Sequence, residues 1–147
     1  MMKSAVAYRT NGTVVIGSVV RTTMGAALEV EPVGLGAAPT EETTARALSH
    51  ALAQSDRIVP HPAQQDWKGF FQPFLEATGV RSLNAFMAGA RQVSVDAIAG
   101  QLRLTPMRNL GSKEGFEELI DQAVLLRSDD WNGAAATLLR MLEALPA

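Results

Sequence analysis

Near its start the chain reads Ser4-Ala5-Val6-Ala7-Tyr8, then Asn11-Gly12, then Thr13-Val14-Val15-Ile16-Gly17-Ser18-Val19-Val20. Valine, isoleucine, tyrosine and threonine favour extended strands, and Asn-Gly favours a tight hairpin turn because both residues tolerate a positive φ. The sequence therefore predicts a β-hairpin, and the residues from Ala26 to Val33 predict a third strand. Pro32 and the small residues of 34–39 end that strand in a loop, since they offer little side chain to pack.

A helix is predicted after this loop, from Glu41 to Gln54. Thr40 is a favourable N-cap, and Glu41 and Glu42 lie in the first turn, where carboxylates favour the helix dipole. Apolar side chains then recur on one face of the helix. Two prolines within residues 56–62 remove backbone donors and favour extended geometry, which predicts a connection near the middle of the chain.

The middle section, residues 64–90, is predicted to be helical. Its apolar side chains recur at i, i+3, i+4, i+7 and i+8, which predicts a helix with a buried stripe that Pro73 kinks or bounds. The stripe consists of Trp67, Phe70, Phe71, Phe74 and Leu75. Gly79 fits the C′ position of this helix, and Ser82 fits the N-cap of a second, short helix that ends near Ala90.

A second hairpin is predicted from Val93 to Pro106, because apolar and polar residues alternate along both of its strands. Periodicity leaves the segment from Phe116 to Arg127 undecided between strand and helix, and its short length favours a strand from Gln122 to Arg127. Ser128 is the predicted N-cap of a last helix, from Asp129 to about Ala144.

The two ends of the chain show the same order of features, namely hairpin, strand and capped helix. Gly12 in the first hairpin corresponds to Gly100 in the second. Residues 4–54 and 92–144 are therefore a possible repeat of pattern around the middle section, with chance agreement as the alternative. The predicted fold class is α+β, a single domain of residues 1–147. Its antiparallel or mixed sheet is built from two hairpin-containing ββ(β)α halves, and the helices pack on it.

The composition excludes several kinds of chemistry. The chain has no cysteine, which removes disulfides, thiolate metal sites and thiol nucleophiles and fits a reducing compartment. Its net charge of −2 provides no overall positive field for nucleic acid or an anionic membrane. No apolar run is long enough for a membrane span, and no signal peptide is apparent. We therefore expect a soluble, cytoplasmic protein without a cofactor and without a direct nucleic-acid or membrane partner.

Few residues are candidates for catalysis. The two histidines, His50 and His61, are expected to be surface or packing residues, and no Gly-x-Ser-x-Gly motif is present. The glycine-containing stretches 34–36 and 111–115 lack the full spacing of phosphate loops and are interpreted as turns. Four acidic residues would gather around a hard cation if their segment were helical, although a solvated acidic face is the interpretation that we favour. They are Glu114, Glu117, Glu118 and Asp121.

Charge is distributed unevenly along the chain. Residues 111–147 carry three basic and seven acidic side chains, whereas residues 1–110 carry ten basic and eight acidic ones. An acidic end could meet a basic partner, because charge complementarity speeds association and suppresses wrong partners. Ordinary surface acidity is the alternative. The candidate partner-binding residues are Glu114, Glu117, Glu118, Asp121, Asp129 and Asp130.

Three stretches carry a resemblance to a known family. They are Asp66-Trp67-Lys68…Phe74-Leu75…Gly79-Val80-Arg81-Ser82-Leu83-Asn84-Ala85-Phe86, the hairpin Val93-Ser94-Val95…Gly100-Gln101-Leu102-Arg103-Leu104-Thr105-Pro106, and Arg127-Ser128-Asp129-Asp130 before an Ala/Leu-rich helix. Over most of its length the chain resembles the immunity proteins of bacterial contact-dependent growth inhibition systems, the CdiI family. The resemblance implies a non-enzymatic cytoplasmic protein that neutralises the C-terminal toxin domain delivered by a neighbouring cell, often a nuclease. It implies no catalytic residue, metal or cofactor, and we favour a monomer.

Two other functions stay open at this point. A small acidic chaperone for a secreted effector would have a similar composition, although such chaperones usually begin with a helix and dimerise. A small enzyme with carboxylate chemistry is the third possibility, but nothing in the sequence orients a catalytic base.

Overall fold

The fold is built on one eight-stranded sheet. The computed structural model describes residues 2–146, and of Lys68 the backbone only. Within that part of the chain the strand order is β3-β2-β1-β5-β6-β7, with β4 beside the end of β2 and β8 beside β6. All pairings are antiparallel except the short parallel contact of β4 with β2. The strands are β1 (Lys3–Thr10), β2 (Thr13–Thr22), β3 (Ala27–Gly36), β4 (Ile58–Val59), β5 (Arg91–Ile98), β6 (Gln101–Asn109), β7 (Phe116–Glu118) and β8 (Val124–Arg127).

Both predicted hairpins are confirmed, and they join at the centre of the sheet through the pairing of β1 with β5. The turn between β1 and β2 places Asn11 and Gly12 at φ values of 52° and 68°. The turn between β5 and β6 places Ala99 and Gly100 at 49° and 81°. Both turns therefore use the left-handed region that tight hairpins require. The predicted α+β class, with helices packed on a mixed sheet, is confirmed.

Helices cover both faces of the sheet. α1 (Glu41–Gln54) and α4 (Trp131–Ala144) pack together on one face, which we call the helical face. A 3-10 helix (Gln64–Phe71), α2 (Gln72–Thr78) and α3 (Leu83–Gly89) lie on the other, which we call the aromatic face. The bounds of α1 and its cap are confirmed, because the Thr40 hydroxyl accepts a hydrogen bond of 3.1 Å from the Thr43 amide.

The helical face buries a core of aliphatic side chains. Alternate residues of the four central strands meet one stripe from each of α1 and α4, as the period of two in strands and 3.6 in helices requires. The buried members include Ala7, Ile16, Leu48, Leu52, Val93, Val95, Leu104, Leu138 and Leu142.

The aromatic face buries a smaller cluster around Tyr8, which is 1% exposed. The Tyr8 ring meets Phe71, Phe74 and Phe86 edge to face at centroid distances of 6.1, 6.0 and 5.0 Å. Gly17 of β2 makes room for this packing, because a Cβ there would lie 2.6 Å from the Phe74 ring. Strands β1 and β2 are thus buried on both sides, which explains their nearly continuous apolar sequence.

The predicted end of the third strand is wrong, because β3 continues through Pro32 to Gly36. The predicted loop over residues 34–39 is therefore reduced to 37–39, and the predicted turn at 34–36 is wrong, because these three residues belong to β3. β3 is an edge strand with irregular register opposite β2, and Glu31 adopts a φ of 54°. A proline is tolerated at such an edge because its missing N–H leaves no partner unpaired.

The first of the two helices predicted in the middle section is divided in the structure. Residues 64–71 form a 3-10 helix, and α2 begins beside Pro73, which therefore marks a boundary. An α-helix across this point would need an N–H that proline lacks, whereas the first turn of a helix does not need it. Phe70 is 38% exposed, so its predicted place in the core is wrong. The predicted C-cap Gly79, with a φ of 73°, and the N-cap Ser82 of α3 are confirmed.

Three further boundaries differ from the prediction. The connection over residues 56–62 contains the two-residue strand β4. The segment 116–127 divides into β7, a 3-10 turn (Ile120–Gln122) and β8, so it is strand at both ends and not a helix. The last helix is capped by Asp130 rather than Ser128, because the Asp130 carboxylate accepts the Gly133 amide at 3.0 Å. Serine and aspartate are equally good N-caps, so sequence alone does not choose between neighbouring candidates.

Within residues 2–146, no helix combines the length and the hydropathy that crossing a membrane requires.

Candidate partner-binding surfaces

The six predicted partner-binding residues lie along one edge of the sheet, on the outer side of β6. We call this surface the acidic edge, and all of its members are exposed. Four of them, Glu114 to Asp121, flank or belong to β7, which pairs with the end of β6, whereas Asp129 and Asp130 follow β8, which pairs with its start. Glu117 lies opposite Arg108 and Arg127 lies opposite Gln101, seven residues along β6 or about 23 Å at 3.3 Å per strand residue. The structure therefore brings the six residues to one edge but divides them into two patches.

Three of the six acidic residues already have partners within the chain. Glu117 accepts a hydrogen bond of 3.3 Å from Arg108, its neighbour across the strand pair. Asp129 accepts two from the Arg127 guanidinium, at 3.1 and 2.8 Å. That contact lowers the pKa of Asp129 and raises the pKa of Arg127. Because Asp130 caps α4, a partner would meet fewer free carboxylates than the sequence suggests.

Apolar side chains stand between the acidic residues. Ile120, in the 3-10 turn, is 69% exposed, and Leu125, in β8, is 58% exposed. A groove of about 370 Å³ lies between α4 and β6, and Leu119, Arg108 and Met141 contribute to its walls. Exposed apolar residues surrounded by charged ones are typical of protein–protein interfaces, which have an apolar centre and a polar rim.

The structure does not gather the candidate metal ligands. The segment that holds Glu114, Glu117, Glu118 and Asp121 is not helical, so the spacing that would bring their carboxylates together on a helix is lost. Among the residues that the structure describes, no group of three or more His, Asp or Glu side chains could hold an ion. All four side chains are exposed, which is the arrangement of a solvated acidic face.

The two histidines have the surface and packing positions that the sequence predicts. His50 is exposed on α1. His61 lies with its Nδ1 2.8 Å from the Thr22 hydroxyl, and its ring meets Trp67 edge to face at 5.2 Å. The 111–115 segment forms a turn, as predicted, closed by a hydrogen bond of 3.0 Å from the Gly115 amide to the Gly111 carbonyl.

A second candidate surface, which sequence reasoning missed, lies on the aromatic face. Gln92 of β5 sits opposite Tyr8 of β1 and donates a hydrogen bond of 2.8 Å to the Tyr8 hydroxyl. That hydroxyl in turn donates to the carboxylate of Glu29, on β3 two strands away. Burial raises the pKa of the Tyr8 phenol, and the charge of Glu29 raises it further. Burial also raises the pKa of Glu29, against the opposing effect of the bond from Tyr8.

Glu29 forms part of the wall of a cleft on this face, which we call the aromatic cleft. It has a volume of about 210 Å³ and opens between β3, the 3-10 helix and α3. At its rim, Phe70 and Leu83 are 38% and 42% exposed. An apolar cleft with one polar group whose pKa is perturbed is a common form of binding site. The lining residues are Ala27, Leu28, Glu29, Trp67, Phe70, Phe71, Leu83 and Met87.

The one available sequence signal for this cleft was the position of Glu29. It is an acidic residue inside a strand whose neighbours are apolar, but the partner that fixes it is 21 positions away. Short-range periodicity does not connect residues at that separation.

Comparison with known proteins finds similarity in fold and none in sequence. Neither models of protein families nor curated proteins match the chain. A solved structure of a protein of unknown function from Neisseria meningitidis has a TM-score of 0.79 and 16% identity, over 99% of this chain and 96% of that one. A chain of a CdiA-CT/CdiI toxin and immunity complex from Yersinia pseudotuberculosis has a TM-score of 0.75 and 9% identity, over 98% and 97%. The chain therefore shares its whole fold with these two structures.

Proposed function

We propose that this chain is an immunity protein, which binds a protein toxin and neutralises it without catalysing a reaction. The observation that carries the proposal is the similarity in fold, over 98% of the chain, to a chain of a toxin and immunity complex. The resemblance of three stretches of the sequence to CdiI proteins points to the same function.

The acidic edge is the surface that we propose for the toxin. Its free carboxylates at Glu114, Glu118 and Asp121 would attract a basic partner, and Ile120 and Leu125 would supply apolar contacts once the two proteins meet. A toxin that cleaves nucleic acid fits this surface, because proteins that bind phosphate backbones carry excess positive charge. We accordingly propose a nuclease toxin that is met in the cytoplasm.

Co-expression with the toxin domain encoded beside its gene tests the proposal. We expect cells that produce both proteins to grow, cells that produce the toxin alone to stop growing, and the purified proteins to form a one-to-one complex by light scattering. Growth without a complex would contradict inhibition by binding, and so would failure to restore growth.

Charge reversal tests the proposed surface separately. We expect the double variant Glu118→Lys/Asp121→Lys to slow association with the toxin by about tenfold and to weaken the salt dependence of the rate, because electrostatic steering depends on these charges. The matched control is Glu41→Lys/Glu42→Lys on α1, which makes the same change of charge on the helical face. Equal association rates for the two double variants would exclude the acidic edge as the steering surface.

A further inference from the structure

The aromatic cleft has a carboxylate in an otherwise apolar wall. Among the lining side chains that the structure describes, Glu29 is the one ionisable group, and the others are aliphatic or aromatic. Tyr8 donates to one oxygen of the Glu29 carboxylate, the Oε1 atom. A carboxylate in apolar surroundings is costly unless it is paired, so the chemistry of the wall favours a cation as the occupant.

The size of the cleft limits what that cation can be. A volume of about 210 Å³ is enough for one long side chain and too small for a strand or a helix. The walls include Trp67, Phe70 and Phe71, and a cation held over the face of an aromatic ring is attracted by it. A planar guanidinium stacks on such rings and is less strongly hydrated than an ammonium group, so arginine enters an apolar cleft more readily than lysine does.

We propose that the aromatic cleft binds one arginine side chain of the protein partner, with its guanidinium against the Glu29 carboxylate and against the ring of Trp67 or Phe70. This inference rests on the proposed function for its source of arginine, namely a basic toxin. It adds a second contact surface to the acidic edge. This surface lies beside β3, at the other edge of the sheet. Binding would also pair a carboxylate that burial otherwise disfavours in its charged form.

The experiment uses n-propylguanidinium as a probe of the cleft, with n-propylurea and n-butylammonium as comparisons. Proton–nitrogen NMR spectra of the full chain are recorded during each titration. The readout is the indole N–H of Trp67 in the cleft wall, and the indole of Trp131, on α4, is the internal reference. We expect a saturable shift at Trp67 with n-propylguanidinium, and binding that is about tenfold tighter than that of the neutral n-propylurea.

Two outcomes of this titration would overturn the inference. Equal binding of n-propylurea would mean that the cleft recognises apolar surface rather than charge. Equal binding of n-butylammonium would mean that any cation suffices and that the cleft does not select arginine.

Three variants assign the binding to residues. Glu29→Gln, which keeps the shape of the side chain and an acceptor for Tyr8, should weaken n-propylguanidinium binding by about tenfold. Phe70→Ala, at a position that is 38% exposed, should weaken it by about threefold through loss of the ring. Glu42→Gln on α1 makes the same change of charge outside the cleft and should leave binding unchanged. Unchanged binding by Glu29→Gln would overturn the inference.

The toxin then separates this inference from the proposed function. We expect Glu29→Gln to lower the affinity of the toxin complex by about tenfold, with Glu42→Gln equal to the parent protein. If the parent and Glu29→Gln proteins bind the toxin equally, the cleft is not part of the interface, although the chain is still an immunity protein. If the parent protein does not bind the toxin, the proposed function itself is wrong, whatever the titration shows.

Discussion

The two faces of the sheet bury different kinds of side chain. The helical face holds an aliphatic core between β-strands and two long helices, α1 and α4. Its buried Ser18 hydroxyl donates one hydrogen bond, of 2.8 Å, to the Ala51 carbonyl. The aromatic face holds rings, short helices and the chain of bonds from Gln92 through Tyr8 to Glu29. A neutral hydroxyl on a helix carbonyl adds stability at little cost, whereas a partly buried carboxylate costs stability and points to a function.

The comparison teaches that the buried polar network lies on the face whose helices are short. α1 and α4 are fourteen residues each, capped and amphipathic. The elements over the aromatic face are seven or eight residues long, and short helices depend on tertiary contacts for stability. The aromatic cleft opens among these short elements. Four predictions test this difference between the faces.

The largest effect is expected from truncating one large side chain on each face. Phe74→Ala should lower the free energy of unfolding by about 3–5 kcal/mol and Leu138→Ala by about 2–5 kcal/mol, because both side chains are fully buried. Urea titrations followed by circular dichroism measure both. We expect single transitions, since both faces share the strands of one sheet. A two-step transition in Phe74→Ala would show that the helical face is stable by itself. Phe70→Ala, at the exposed ring, is the control and should cost much less.

A smaller effect is expected from adding a methyl group under the aromatic cluster. Gly17→Ala would place its Cβ 2.6 Å from the Phe74 ring and 3.1 Å from the Val30 carbonyl, so the ring must move. Overpacking of this kind costs about 1–3 kcal/mol. Gly34→Ala is the matched control, because its Cβ would meet its nearest neighbour at an ordinary 3.4 Å. Equal stabilities of the two variants would show that Phe74 adapts freely, and adding Phe74→Leu to Gly17→Ala should recover part of the loss.

Removing one hydroxyl from each face compares their polar groups directly. Tyr8→Phe keeps the ring contacts but leaves Gln92 without its acceptor and Glu29 without its donor, and it should cost about 1–3 kcal/mol. Ser18→Ala removes one bond to a helix carbonyl and should cost about 1 kcal/mol or less. Thermal and urea unfolding of both variants provide the measurement. A larger loss of stability for Ser18→Ala than for Tyr8→Phe would show that the more important buried hydroxyl lies on the helical face.

The smallest effect is a dependence of stability on pH that comes from Glu29 on the aromatic face. Because burial raises the pKa of Glu29 in the folded protein, the folded state holds this proton more tightly than the unfolded state does. The parent protein should therefore lose stability relative to Glu29→Gln as the pH rises above the ordinary glutamate value of about 4.3. The difference should become constant above the pKa of the folded state. Urea titrations from pH 4 to 8 test this. A parent protein that gains stability relative to Glu29→Gln as the pH rises would contradict the burial of Glu29.

Local signals account for the parts of the fold that the sequence predicts. The Asn11-Gly12 turn, the Thr40 and Ser82 caps and the Gly79 C-cap each depend on contacts within a few residues. Two of the wrong predictions fall where the local sequence fits two structures equally well. Ser128 and Asp130 are both good caps, and the phenylalanine stripe fits an α-helix until Pro73 divides it.

For the candidate sites too, the sequence shows features that depend on composition and misses contacts that depend on strand pairing. The excess of acidic residues after position 110 is visible in the sequence, and so is the exposure of residues such as Glu118. The sequence does not show that Arg108 occupies Glu117 and Arg127 occupies Asp129, because these contacts depend on strand register and side-chain geometry. It also does not show that the acidic residues divide into two patches along β6.

The sequence by itself determined the hairpins, the capped helix α1, the absence of cysteine chemistry and the acidic end, since each depends on composition or on residues close together in the chain. Only the tertiary structure decided which carboxylates are free and that Glu29 lies in the wall of an aromatic cleft. Tyr8 meets Glu29 across 21 positions and Gln92 across 84. Such contacts exist only after the strands have paired, because pairing sets which side chains share a face.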